Sequence, residues 1–247
     1  MPARGRALDL TTLRFPSLTE ARERVLDALV ALCAGDPDAA AETLDVPKSQ
    51  RDWVARNARL WGAPTARADR VYTGVLYDNL DAATLSAAGK RRLGARVAVT
   101  SSLFGLVAPG DRIPAYRLSG DAVLPDVGSV AGLWRDHLGK AVTEALGDGL
   151  LVDLRSSMYA AFWRPPPELA RRVATVRVLH EVGGHRKVVS HFNKATKGRL
   201  VRALLEDGAT PRSPARLADA LRDLGWTVET AEPTKKGTTL DVIVAEI

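Results

Sequence analysis

SSLFGLVAPGDRIPAYRLSG, from Ser101 to Gly120, is the stretch on which the reading of this chain turns. It follows Val97-Ala98-Val99, a short apolar run of the kind shown by a strand buried on both faces, so a strand is expected over 96–101. From Gly105 to Pro125, Gly and Pro recur, and little in the segment could repeat as helix or strand. An irregular segment of that length inside a compact domain is as a rule functional or disordered. This one carries Asp111, Tyr116 and Arg117, which favours function. In open α/β sheets, ligands lie beyond the carboxyl ends of strands. Two such tails are rich in serine: Thr100-Ser101-Ser102, and Arg155-Ser156-Ser157 after an expected strand over 150–154. Hydroxyls and backbone N–H groups there can hold an anion; the alternative is ordinary turn chemistry.

Outward from this stretch, helices and strands interleave. Ala21, Val25, Leu26, Leu29 and Leu32 recur at helical spacing over 20–34. A short helix is expected over 39–44, a turn at Val46-Pro47-Lys48-Ser49, and a helix capped by Ser49 running to about residue 59. Helices follow over 85–93, ending at Gly94, and over 130–146. Strands at 175–181 and 187–192 flank Gly183-Gly184 as an antiparallel hairpin. A basic helix over 194–206 begins with Lys194, Lys197 and Arg199 crowded into its first turns and continues to Arg202. Cations there oppose the helix dipole, at roughly 0.3–1 kcal/mol each, which suggests a use as an anion site; a solvated basic face is the alternative. Ser213 and Pro214 open a helix that closes at Gly225. A last hairpin pairs 228–231 with 239–245. The fold class expected is α/β: a mixed sheet with interleaved helices and antiparallel hairpins in a single compact domain over 1–247, with 1–10 as a poorly ordered start.

The chain has 247 residues, 46% hydrophobic and 26% charged, ordinary values for a globular protein with a real core. Its single cysteine, Cys33, lies in an apolar run and reads as a buried small hydrophobe. A chain without disulfides suits a reducing compartment. No secretory h-region opens it and no apolar stretch reaches bilayer length, so a cytoplasmic protein with no membrane partner is expected. Net charge is +6, which permits a polyanion partner. His137, His180, His185 and His191 form no metal-ligand motif, and no Walker, dinucleotide-binding or nucleophile-elbow pattern occurs, so neither metal nor cofactor is expected. Leu44 to Arg51 loosely resembles a helix-hairpin-helix, with Lys48, Arg51 and Arg56 available to phosphates; the hairpin glycine is missing, and an ordinary helix pair would read the same.

Ser101-Ser102-Leu103-Phe104-Gly105-Leu106, then Pro109-x-Asp111-x-Ile113-Pro114-x-Tyr116-Arg117-Leu118-x-Gly120, resembles the hallmark segment of the YaaA family. Tyr72-Thr73-Gly74, Trp134, Leu154-x-Ser156-x-x-Tyr159, and Ser190 to Lys194 with Lys197 and Gly198 match further family motifs in order. Ser102, Phe104, Ala108 and Asp153 depart from the family's usual Gly, Tyr, Arg and Asn. The short apolar strand with which members usually begin has no counterpart before Gly5. The resemblance implies one compact α/β domain. It also implies a role in limiting oxidative damage under peroxide stress, with DNA bound in a basic cleft and through a helix-hairpin-helix-like element.

Two functional expectations follow. One is a monomeric binding module that holds DNA by its phosphates, without reading sequence, through Lys48, Arg51, Arg56, Lys194, Lys197, Arg199 and Arg202. The other is an enzyme for a small anionic or nucleotide-like substrate. There Tyr72, Ser101, Arg117, Ser156 and Lys194 would bind the anion, and Asp111, Tyr116 or Tyr159 would move the proton. A protein with neither site is the remaining alternative.

Overall fold

The structure, a computed structural model, describes residues 5–245. Its first half contains helices α1 (Thr19–Ala34), α2 (Pro37–Thr43) and α3 (Asp52–Asn57), strand β1 (Thr65–Arg67), and helices α4 (Ala68–Val71), α5 (Val75–Leu80) and α6 (Ala87–Arg96). Strands β2 (Val99–Ser101), β3 (Gly105–Val107), β4 (Arg112–Pro114), β5 (Val123–Leu124) and β6 (Gly128–Ser129) precede helix α7 (Val130–Leu146). Then come β7 (Leu151–Asp153), α8 (Ser157–Ala160), β8 (Val173–Val182), β9 (His185–Lys187), α9 (Ser190–Asp207), α10 (Pro214–Asp223), β10 (Thr227–Thr230) and β11 (Thr238–Ala245). The chain is mixed α/β, as its patterning implies. It divides into two compact units, the first made of residues 5–71, 97–145 and 155–163, the second of 72–96, 146–154 and 164–245.

In the first unit α1 buries Ala21, Val25, Leu26 and Leu29 along one face, as their spacing predicts; Leu32 is only half-buried, and Cys33 closes the stripe. Short antiparallel pairs complete the unit: β1 with β4, β2 with β3, and β5 with β6. Trp134 of α7 is fully buried, and its indole N–H donates to the Ser102 carbonyl at 2.7 Å. Gly105 turns the chain at φ 71°, and a Cβ there would sit 2.6 Å from the Trp134 ring, so no other residue fits. Residues 5–10 make contacts with the rest of the unit. The Arg6 carbonyl accepts from the N–H and hydroxyl of Thr65, Asp9 caps the turn that follows it, and Leu8 and Leu10 are buried. Residues 1–4 lie outside the described residues.

The second unit is built on a five-stranded mixed sheet in the order β10-β11-β8-β7, with β9 also paired to β8. β11 runs parallel to β8 and antiparallel to β10. Val176, Val178, Leu240 and Val242 face Leu200 of α9 and Leu217 and Leu221 of α10 in one core. Ser213 caps α10 by accepting from the Arg216 N–H, with Pro214 at the first helical position, as read from the sequence.

Four expectations give way. The strand over 96–101 shrinks to β2, because Arg96 still belongs to α6; its partner is β3 in a two-stranded hairpin, and Val99 and Thr100 are only half-buried. The irregular segment 105–125 holds β3, β4 and β5, each too short to show a period. Ser49 lies inside a 3-10 turn over Lys48–Gln50 and caps nothing, since α3 starts after Arg51 without a side-chain cap. The second strand of the Gly183-Gly184 hairpin ends at Lys187, and α9 has already begun at Ser190. Lys194, Lys197 and Arg199 therefore fall in its second and third turns, outside the reach of the dipole argument made for the first.

Candidate functional site

In the first unit the hallmark segment is held by side chains from three directions. Ser101 is buried; its Oγ accepts from the Phe104 N–H at 3.0 Å and shares a 2.8 Å hydrogen bond with the Tyr116 hydroxyl. The Phe104 ring meets Tyr116 edge-on, with centroids 5.6 Å apart. Ser102 is also buried and donates its hydroxyl to the Leu118 carbonyl at 2.8 Å. Burial, first, and then Tyr116 push the Tyr159 phenol up to about 12, against the pull of Ser102. Tyr159 is therefore protonated at neutral pH, as a hydrogen-bonding group and not a base. Spectrophotometric titration of the four tyrosines is expected to find one ionising near pH 12, and Tyr159→Phe to remove that step. A titration unchanged by the substitution would refute the assignment.

Asp111 is a clasp. Its Oδ1 accepts from the Arg14 N–H at 3.1 Å and its Oδ2 from the Ala108 N–H at 2.8 Å. The Ala108 contact uses the backbone N–H and so does not depend on the side chain at 108. Arg22 of α1 was not singled out by the sequence reading. It is wholly buried: Nε donates to the Phe104 carbonyl at 3.1 Å, and Nη2 to the carbonyls of Leu106 and Arg14 at 2.7 Å. Burial pulls its guanidinium down to about 10, with Asp111 pulling the other way, so it stays charged at neutral pH. A signal existed, since residues 22, 25, 26 and 29 share the apolar stripe of α1 and an arginine there must find partners inside.

Asn57 was missed too. It sits fully buried at the end of α3 and brackets Arg117: Nδ2 donates to the Arg117 carbonyl at 2.7 Å, and Oδ1 accepts from the Arg117 N–H at 3.1 Å. The Arg117 side chain is exposed, with no hydrogen bond or ion pair to any described residue. Lys48 is exposed and equally uncommitted among the described residues. Arg51 pairs with Asp38, and Arg56 lies over the Trp53 ring, 5.5 Å from its centroid. Ser156 is exposed ahead of α8 and makes no capping bond. Cys33 is buried, and burial pushes its thiol up while Asn57 pulls it down. A raised pKa keeps the thiolate scarce and the cysteine unreactive.

In the second unit Tyr72 stacks on Tyr77 with centroids 5.7 Å apart. Lys197 is buried and donates to the Leu154 carbonyl at 3.0 Å; burial lowers its pKa, and Asp153 offsets part of that. The departure to Asp at 153 thus puts a carboxylate near a buried ammonium. Arg199 donates to Asn79 at 3.1 Å, and Arg202 to the carbonyls of Leu80 and Asp81 at 3.1 and 2.9 Å, so both brace α5. Lys194 alone of the four is exposed with no bond to a described residue. The side chain of His191 lies outside the described residues. Among the described residues no helix is long and apolar enough to cross a membrane.

Comparison with known proteins accords with these motifs. The family model described as peroxide stress protein YaaA matches residues 3–232. A UPF0246 protein of Streptomyces coelicolor is 51% identical over 99% of this chain and 94% of its own length. A UPF0246 protein of Corynebacterium efficiens is 41% identical over 96% of this chain and 94% of its own. With the match spanning both units and all the motifs quoted above, the chain belongs to the YaaA peroxide stress protein family.

Proposed function

We propose that this protein serves the peroxide stress response in the cytoplasm by holding DNA, or a comparable polyanion, on the exposed cations of its first unit. The observation that carries the reading is the Asn57 bracket. It fixes the backbone of Arg117 to the end of α3, the helix that follows Lys48, while the Arg117 guanidinium stays open to solvent. Cations displayed on a rigid backbone suit phosphates, whose contacts position a duplex without reading its bases. The net charge of +6 adds a long-range attraction of the same sign. In the second unit the same reading rests on Lys194, since Lys197, Arg199 and Arg202 are engaged within the fold.

Fluorescence anisotropy of a labelled duplex across a salt series tests it. The log of the binding constant is expected to fall by about 0.9 per log unit of salt for each phosphate contact. Lys48→Ala with Arg117→Ala should flatten that slope by about two contacts. Absence of duplex binding at low salt, or a slope the double variant leaves alone, would sink the proposal. The second reading, an enzyme for a small anionic or nucleotide-like substrate, is favoured by the Ser101–Tyr116 hydrogen bond beside Arg117. Asp111, with both oxygens taken by backbone N–H groups, and Tyr159, ionising near 12, weigh against it as proton carriers.

A further inference from the structure

The first unit has a concavity that shares no residue with the hallmark segment. It is a cleft of about 250 Å3 lined by Arg24 of α1 and by Val127, Ser129, Leu133, Asp136 and His137, which run from the β5–β6 turn into α7. Arg24 and Asp136 carry opposite charges on this one cleft. Neither side chain makes a hydrogen bond or an ion pair with any described residue, and they do not pair with each other. His137 Nδ1 lies 2.8 Å from the Leu133 carbonyl. A carbonyl can only accept, so Nδ1 carries the proton and the neutral ring offers its lone pair at Nε2. Ser129 Oγ accepts from the Gly132 N–H at 3.2 Å, which leaves its own hydroxyl proton to donate. Val127 and Leu133 supply an apolar wall.

We propose that this cleft binds a small zwitterion, an α-amino acid with a short apolar side chain. Its carboxylate would meet Arg24 and the Ser129 hydroxyl; its ammonium would meet Asp136 and His137 Nε2. A lone anion here faces Asp136 and a lone cation faces Arg24, whereas a zwitterion answers both. A cleft volume of about 250 Å3 leaves room for a molecule of that size. Both charges are exposed, so each ion contact is weak, and an affinity on the order of millimolar is expected.

The test is titration of the full chain with L-valine, followed by the amide chemical shifts of Ser129, Gly132 and Leu133. Saturable shifts are expected, weakened about two- to fivefold by Arg24→Gln and by Asp136→Asn, the loss of one of two exposed charge contacts. Isovalerate, which keeps only the anion, and L-valinamide, which keeps only the cation, should each bind about two- to fivefold more weakly. Absence of saturable shifts, shifts indifferent to both substitutions, or isovalerate or valinamide binding as well as valine would overturn the proposal. Arg24 and Asp136 are exposed and unbonded, so neither variant should disturb folding.

Discussion

Arg22→Met is expected to destabilise the protein by about 3 kcal/mol or more, the sum of several buried acceptors left without donors. The guanidinium donates to three carbonyls, those of Phe104, Leu106 and Arg14, and these hold the β2–β3 hairpin against α1. Methionine fills much of the same volume but offers no donor, so the carbonyls of Phe104 and Leu106 would be stranded in the interior. One effect opposes this: removing the buried charge removes its desolvation cost, which is what lowers the Arg22 pKa. The carbonyls decide the sign, because an orphaned buried acceptor costs about 1–3 kcal/mol and more than one is created. Urea denaturation of the variant measures it. Arg22→Lys should recover only part of the loss, since an ammonium lacks the planar fork. A loss under about 1 kcal/mol for Arg22→Met would show that the carbonyls find water instead.

Gly198→Ala is expected to lower stability by about 2 kcal/mol, even though alanine is the better helix former by nearly 1 kcal/mol. Gly198 lies on α9 where α5 crosses it. A Cβ there would stand 2.2 Å from the Leu76 carbonyl oxygen, 2.9 Å from the Asn79 Cβ and 3.0 Å from the Leu80 N. Two of those atoms are backbone, so the clash cannot be relieved by a rotamer; α5 must move. That movement would strain the bonds from Arg199 to Asn79 and from Arg202 to Leu80 and Asp81. Gly94 in α6 supplies the contrast. A Cβ at Gly94 meets nothing within 4 Å, so Gly94→Ala should stabilise by up to about 1 kcal/mol. Thermal melts of the two variants should therefore shift in opposite directions, and a stabilised Gly198→Ala would refute the close approach.

What the sequence made legible follows the range of the forces involved. α7 and α10 are read nearly to the residue because their signals are local: an apolar period, a Ser-Pro opening, a closing glycine. The last hairpin is equally plain. The pairing of β1 with β4 is not, since three-residue strands leave no period and Thr65 meets Pro114 across a long intervening chain. α9 was misread at its start because Val188, Val189 and Phe192 are β-branched or aromatic and suit a strand by type, although Val189 and Phe192, three residues apart, keep no two-residue period. At the candidate site, Ser101 and Tyr116 share a hydrogen bond, and the Arg117 side chain is exposed. Asp111 was chosen for its chemistry and proves to hold a turn. Arg22 and Asn57 were overlooked because their partners are main-chain atoms, which carry no residue-specific mark.

The position of β11 between β10 and β8 bears on how the protein is made. Along its length β8 pairs with β11 from Ala174 opposite Thr238 to Glu181 opposite Ala245. During synthesis β8 leaves the ribosome long before residues 238–245 exist. Through that interval one side of a ten-residue strand has unanswered main-chain donors and acceptors, the condition that invites nascent chains to pair with one another. A product that stops short of residue 238 would keep that edge bare. Such fragments should collect in inclusion bodies, and demand for chaperones should peak late in translation.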